Sequence, residues 1–338
     1  MMETVGQNTP SSRQAIEKAL SSFRANSPIF PDSFHHVVYV KWNATIPEVM
    51  KVLKNNGLTS VPIVHDDFTL VGVVSVLDLL MHFYSVFTVE ELEREDFVSI
   101  WSKKKALESR NISDIAGLGT KDPLVTTTTD STIWDVLLKM VSERAHRVVV
   151  YDPANDNRLC NVITQSRVLK LISCMMDAIP KAKQTLRQLN LGFKKVYTIS
   201  EDEKTYKAFQ QMHEKKISGL AVVDNEGFLV GNVSASDINK LDWSKDDFGK
   251  EMGKPLSKFI KQMPLIDASE SSLIGATTDA HSRGFAITCN PDHTLHHVIN
   301  MLVFYRIHHI FITQNQNRRI QLLGHLSLVD VLDALIQE

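Results

Sequence analysis

The sequence predicts an α/β protein, α+β within each unit, built from four copies of one helix, strand, strand, helix repeat. Three observations carry this reading. The stretch "NGLTSVPIVHDDFTLVGVVSVLD" (56–78) aligns without a gap on "KKISGLAVVDNEGFLVGNVSASD" (215–237). The same order returns in "RAHRVVVYDPANDNRLCNVITQSR" (144–167) and "RIHHIFITQNQNRRIQLLGHLSLVD" (306–330), with extra residues only in the polar turn, where insertions cost least. Upstream of every copy, apolar residues recur at spacings of three and four, the period of a helix with one buried face.

In chain order, residues 1–12 read as disordered, and "SRQAIEKALSSFRA" reads as one amphipathic helix with Ser12 as its candidate cap. Each repeat then opens with an extended lead such as "HVVYVKW" or "AITCNPD". The leading helices are "TIPEVMKVLKNN", "STIWDVLLKMVSER", "KTYKAFQQMHEKK" and "HTLHHVINMLVFYR". Two β-rich runs follow, and the closing helices include "VLDLLMHFYSVF", "SRVLKLISCMMDAI", "SDINKL" and "LVDVLDALIQ". No single unit can bury its apolar strand faces alone, so the units are expected to pair.

Boundaries follow from composition. Residues 1–33 form an N-terminal arm and helix, 34–90 repeat 1, 91–180 a linker and repeat 2, 181–245 repeat 3, and 246–338 an insertion and repeat 4. The connection over 87–120 is Lys/Glu-rich, and its run Lys103, Lys104 and Lys105 reads as a solvated face. The stretch 254–284 is Ser/Gly/Asp-rich and reads as a mobile insertion.

Bulk properties exclude several classes. With 338 residues, 43% of them apolar, the chain can bury a large core without metal or disulfide. A net charge of −2 argues against nucleic acid as a partner. Cys160, Cys174 and Cys289 lie far apart, which argues against a disulfide framework and for a reducing compartment. The apolar run over 70–80 is short and carries Ser75 and Asp78, so no membrane span is expected, nor a signal peptide; the expected location is cytoplasmic or nuclear. His293, His296, His297, His308 and His309 have metal-like spacings, but no carboxylate or thiolate completes a set by sequence. Phosphate-loop, nucleophile-elbow and zinc-protease motifs are absent, so no enzyme is expected.

The residues closing the four units run Asp78, Arg167, Asp237, Asp330. That order, over about 34–338, resembles the four tandem CBS repeats of the gamma subunit of the AMP-activated protein kinase family. The phrases "VITQS" and "VGNVSASD" are similar to its plant branch. The resemblance implies two CBS pairs, or Bateman modules, repeats 1 with 2 and 3 with 4, packed as a flat disk.

It further implies that Asp78, Asp237 and Asp330 each hold the two ribose hydroxyls of an adenine nucleotide, a task suited to a carboxylate that accepts two donors at once. His146 and Arg147 correspond to a His-Arg pair that meets phosphate, and His308 with His309 stands at the same step in repeat 4. Ser75, Ser234 and Ser327 precede the closing aspartates, and Thr164 precedes Arg167. Each Ser-x-x-Asp is equally a capping box.

Departures are visible too. Thr59, Ser166 and Ala235 stand where the family has cations, and Ser102 replaces an arginine beside Lys103. Sites 1 and 3 are thus expected to be weak and the site of repeat 4 the tightest. The implied ligands are AMP, ADP or ATP, with no other cofactor. The implied partners are a Ser/Thr kinase catalytic alpha subunit and a scaffolding beta subunit, without nucleic acid or membrane. The alternative is a free-standing CBS adaptor or phosphatase inhibitor that senses no nucleotide.

Overall fold

Repeat 1 shows how local chemistry sets each unit. Thr45 and Glu48 form a capping box, and Pro47 sits in the first turn of helix α2 (Ile46–Asn55), where its missing N–H is no loss. The helix ends before Gly57, whose φ of 60° turns the chain into strand β2 (Ser60–Val64). A polar turn leads to β3 (Leu70–Ser75), and Ser75 opens helix α3 (Val76–Val86). The lead supplies a third strand, β1 (Val40–Lys41), parallel to β2, whereas β2 and β3 pair antiparallel. The parallel pair needs a crossover, and α2 is that crossover.

The computed structural model describes residues 10–27, 37–86, 91, 103, 110–116, 124–156, 158–240, 248–261 and 286–337. Repeat 2 comprises β4 (Val125–Thr128), α4 (Ile133–Ser142), β5 (Arg147–Asp152), β6 (Arg158–Thr164) and α5 (Gln165–Ser173). Repeat 3 comprises β7 (Thr198–Ser200), α6 (Thr205–Lys215), β8 (Gly219–Val223) and β9 (Leu229–Ser234), and two short helices follow it, α7 (Phe248–Gly253) and α8 (Leu256–Lys261). Repeat 4 comprises β10 (Thr288–Cys289), α9 (Leu295–Phe304), β11 (His309–Gln316), β12 (Arg319–Ser327) and α10 (Leu328–Ile336). All four sheets have three strands in the same order. Of "SDINKL", the described residues through Lys240 fall in a 3-10 helix, Ala235–Lys240, tighter than the α-helix the pattern suggests.

The cores run across the expected pairs. Val49, Leu53, Leu80 and Phe83 of repeat 1 pack with Tyr206, Phe209 and Met212 of repeat 3. Leu137, Met140 and Ile172 of repeat 2 pack with Val298, Leu302 and Leu332 of repeat 4. Within the pairs, strands make the contact: Ala221 and Leu229 meet Phe311 in one, and Thr69 bridges Arg158 in the other. Helices thus join 1 to 3 and 2 to 4, while strands join 1 to 2 and 3 to 4.

Helix α1 (Ser12–Leu20) inserts Ile16 and Leu20 into the core of repeats 2 and 4. Its cap is Ser11, not Ser12: Ser11 is extended (φ −62°, ψ 161°) and its hydroxyl accepts from Gln14 N. Ser12 is already helical, and its buried Oγ accepts from Lys181 N at 3.0 Å. Lys103 is not a free surface charge, since its ammonium pairs with Glu91 at 2.6 Å. Lys104, Lys105, Ser102, residues 1–9 and 262–284 lie outside the described residues. The start of the stretch 254–284, expected as a mobile insertion, is instead helical over Leu256–Lys261, because Leu256, Phe259 and Ile260 give it an apolar face that is buried in the core of repeats 1 and 3.

Candidate functional site

The closing aspartates sit where the second long strand of each unit passes into its closing helix. Ser75 N and Oγ donate to Asp78 Oδ2 at 2.6 and 2.7 Å. Ser234 does the same for Asp237 at 2.7 and 3.0 Å, and Ser327 for Asp330 at 2.9 and 2.6 Å. The three are therefore structural boxes in any case. Burial separates them: Asp78 is 0% and Asp237 6% exposed, whereas the Asp330 side chain keeps 15%. In repeat 2, Thr164 Oγ1 accepts from Arg167 N at 3.4 Å, and the guanidinium of Arg167 folds back to the Val162 carbonyl at 3.0 Å.

Two cations converge on Asp330 from other repeats. Lys194 Nζ lies 2.6 Å from Oδ2, and Arg144 Nη2 lies 3.5 Å from Oδ1. Desolvation raises the Asp330 carboxyl, but hydrogen bonds from Lys194 and Ser327 and the Lys194 charge outweigh it and hold the group below the usual 3.8. Sequence reading passed over both cations.

Lys194 is placed by a close backbone approach. Gly192, at φ 87°, lends its carbonyl to His325 N at 3.0 Å, and a Cβ on Gly324 would stand 2.1 Å from that carbonyl oxygen. The lead of repeat 3 therefore lies directly on β12. Arg144 follows α4 at φ 52°, the place taken by Gly57, Lys216 and Arg306 in the other repeats. An open groove of about 440 Å³ lies beside Lys194, lined by Val196, Thr198 and Gly227 of repeat 3 and Gln321 to Leu323 of repeat 4.

A histidine cluster continues from this groove. His308 keeps an exposed surface, yet desolvation lowers it below 6.5, and His146 and Arg147 from repeat 2 lower it further. Burial pushes His309 down to about 4; His308 and His325 add to this, and Asp237 opposes it. His309 lies against Gly219, where a Cβ would meet its Cε1 at 2.9 Å. Desolvation lowers His325 as well, followed by Lys194, with Asp330 opposing.

The structure thus gathers His146, Arg147, His308, His309, Asp237, Ser327 and Asp330 around the junction of repeats 2, 3 and 4. Asp78 and Ser75 are closed within repeat 1, and Ser234 serves the Asp237 box. The substituted positions stay neutral. Ser166 bonds Thr164 at 3.0 Å, Ala235 is 3% exposed, and the Thr59 carbonyl receives Val76 N.

Four copies of one helix, strand, strand, helix unit, joined through shared helical cores and strand contacts, define a class of tandem-repeat α/β protein. The CBS domain model matches residues 34–85, 112–174, 191–243 and 283–337, and the chain belongs to the CBS domain family. Protein sds23 of Aspergillus clavatus is 27% identical over 224 residues, which cover 62% of this chain and 39% of that relative. The 5'-AMP-activated protein kinase subunit gamma-3 of Sus scrofa is 22% identical over 308 residues, covering 86% of this chain and 53% of that one. The chain spans about two fifths of the length of the sds23 relatives it matches. Among solved structures, MJ1225 of Methanocaldococcus jannaschii, proposed as an archaeal homologue of the AMPK gamma subunit, superposes with a TM-score of 0.66 at 17% identity. That match covers 88% of this chain and 95% of the other, and it speaks for the fold.

Proposed function

We propose that this chain is a noncatalytic regulatory subunit of the gamma type, serving an AMP-activated or SNF1-related Ser/Thr protein kinase with a catalytic alpha and a scaffolding beta subunit. The observation that carries the reading is Asp330, still accessible and paired with Lys194 at the edge of an open groove, within a junction of cations and imidazoles. Adenine would occupy the groove, the ribose hydroxyls would meet Asp330, and phosphate would turn toward His146, Arg147 and His308. The similarity to gamma-3 over 86% of the chain supports the same reading. AMP, ADP or ATP would then shift the kinase between states according to its differential affinity for them. The proposed location is cytoplasmic or nuclear. Among the described residues no helix is long and apolar enough to cross a membrane.

A second reading rests on a different observation. Asp78 is fully buried, and Thr59, Ser166 and Ala235 bring no charge, as befits a CBS adaptor or phosphatase inhibitor that senses no nucleotide. Native pull-down with identification of the recovered chains by mass separates the two. Kinase and beta chains in stoichiometric amounts support the first reading. Phosphatase chains, together with no AMP binding in calorimetry, support the second.

A further inference from the structure

The groove of repeats 3 and 4 has a counterpart position in repeats 1 and 2, and the residues there differ. Val40 pairs with Ile63 as Ile199 pairs with Val222, so the two sheets share one register. In that register, and in the gapless alignment, Phe68 corresponds to Gly227 and Tyr39 to Thr198. The backbone agrees: Phe68 has φ 69° and Gly227 has φ 86°.

Gly227 and Thr198 line the groove, whereas Phe68 and Tyr39 meet edge to face with ring centres 5.4 Å apart. The Lys41 ammonium lies 4.6 Å from the Phe68 ring centre and pairs with Asp66. The turn carrying Phe68 is also latched to repeat 2 by backbone: Leu159 N donates to Phe68 O at 3.2 Å, and Thr69 bridges Arg158. In repeats 3 and 4 the corresponding turn is held by side chains, with Arg319 over the Phe228 ring and paired with Glu226.

A bulky residue in the left-handed region is a rare conformation that glycine would adopt at ease. Tyr39 and Phe68 stay 37% and 40% exposed, so the two rings lie at the surface and fill no core. Strained backbone held by its surroundings is the observation from which a functional reading can start.

We infer that Tyr39 and Phe68 are the specificity-determining pair that closes the groove between repeats 1 and 2 to an adenine ring, leaving the groove of repeats 3 and 4 to receive it. This rests on the nucleotide reading above and adds which groove is open and which side chains decide it. Arg167, at the closing position of repeat 2, is a separate obstacle, since it puts a cation where a ribose needs an acceptor.

Calorimetric titration of the full chain with AMP tests the pair. The comparison is between the unaltered chain, Arg167→Asp, and the triple variant Tyr39→Thr, Phe68→Gly, Arg167→Asp, with folding checked by circular dichroism. The triple variant is expected to gain one site over the unaltered chain, and Arg167→Asp alone to gain none. A site gained by Arg167→Asp alone, or none gained by the folded triple variant, overturns the inference. Should the triple variant unfold, Phe68→Gly with Arg167→Asp is judged against Arg167→Asp alone: a site gained supports the inference, and none overturns it. An unaltered chain that binds no AMP sinks the nucleotide reading of repeats 3 and 4, and the difference between variants still decides the role of the pair.

Discussion

Lys194 reaches Asp330 across 136 residues of sequence and places its ammonium 2.6 Å from Oδ2. That oxygen already accepts from Ser327 N and Oγ, so the box and the lysine together occupy it. Oδ1 faces Arg144 at 3.5 Å, too long for a strong bond, and is the oxygen best placed to accept a ribose hydroxyl.

Asp330→Ala is therefore expected to weaken AMP binding about ten- to a hundredfold, the loss of a charge-assisted contact worth about 1.5–3 kcal/mol. It should also lower stability by about 1 kcal/mol through the lost box on α10. Calorimetry and a urea titration on the same variant read the two effects apart. Lower stability with unchanged AMP affinity would leave Asp330 as a cap and nothing more.

Stability should depend on pH through the histidines desolvated at the junction. Burial, first, and neighbouring cations hold His308, His309 and His325 below 6.5 in the folded chain, and His309 at about 4. The unfolded chain then binds more protons than the folded one below about 6.5, so stability is full above that pH and falls as pH drops toward 4. The urea midpoint at pH 5.5 is expected to lie below that at pH 7.5. His309→Asn should flatten the difference, although Asp237 and His325 still face the position. Equal slopes with and without the imidazole would refute its part in the effect.

Two glycines should tolerate a methyl group very differently. At Gly324 the added carbon would stand 2.1 Å from the Gly192 carbonyl oxygen, a backbone atom held from both sides. At Gly219 it would meet the His309 ring at 2.9 Å. Overpacking costs about 1–3 kcal/mol, and Gly324→Ala is expected at or above the top of that range, with Gly219→Ala nearer the bottom. Denaturant midpoints rank them, and the reverse order would contradict the close approach that positions Lys194.

The first helix offers a paired test of two adjacent serines. Ser11→Ala removes the N-cap at a cost of about 1 kcal/mol. Ser12→Ala removes the partner of the Lys181 N–H, at about 1–3 kcal/mol, and loosens the N-terminal helix from the start of repeat 3. Hydrogen exchange at Lys181 should speed up in the second variant and stay unchanged in the first.

The repeats, their strand pairs and the capping boxes at Ser75, Ser234 and Ser327 were legible in the sequence because each depends on residues a few positions apart. A period of 3.6 or 2, or an Asp three residues after a Ser, marks local geometry wherever it occurs. The resemblance carried by Asp78, Arg167, Asp237 and Asp330 pointed to the CBS family in the same way. The cap lies one place before the expected Ser12, since Ser11 and Ser12 offer the same hydroxyl and only the backbone angle of Ser11 makes it the cap.

Tertiary structure alone decided that the helical cores join repeat 1 to 3 and 2 to 4, that Lys194 and Arg144 reach Asp330, and that Asp78 is closed while Asp330 is not. These contacts link residues 136 and 186 apart, which no local period records. Gly192 and Gly324 looked like any two glycines until their backbones were seen to touch. Local chemistry determines what each unit is. Burial and charge at the junction depend on how four such units close against one another, because desolvation and Coulomb attraction act through space and not along the chain.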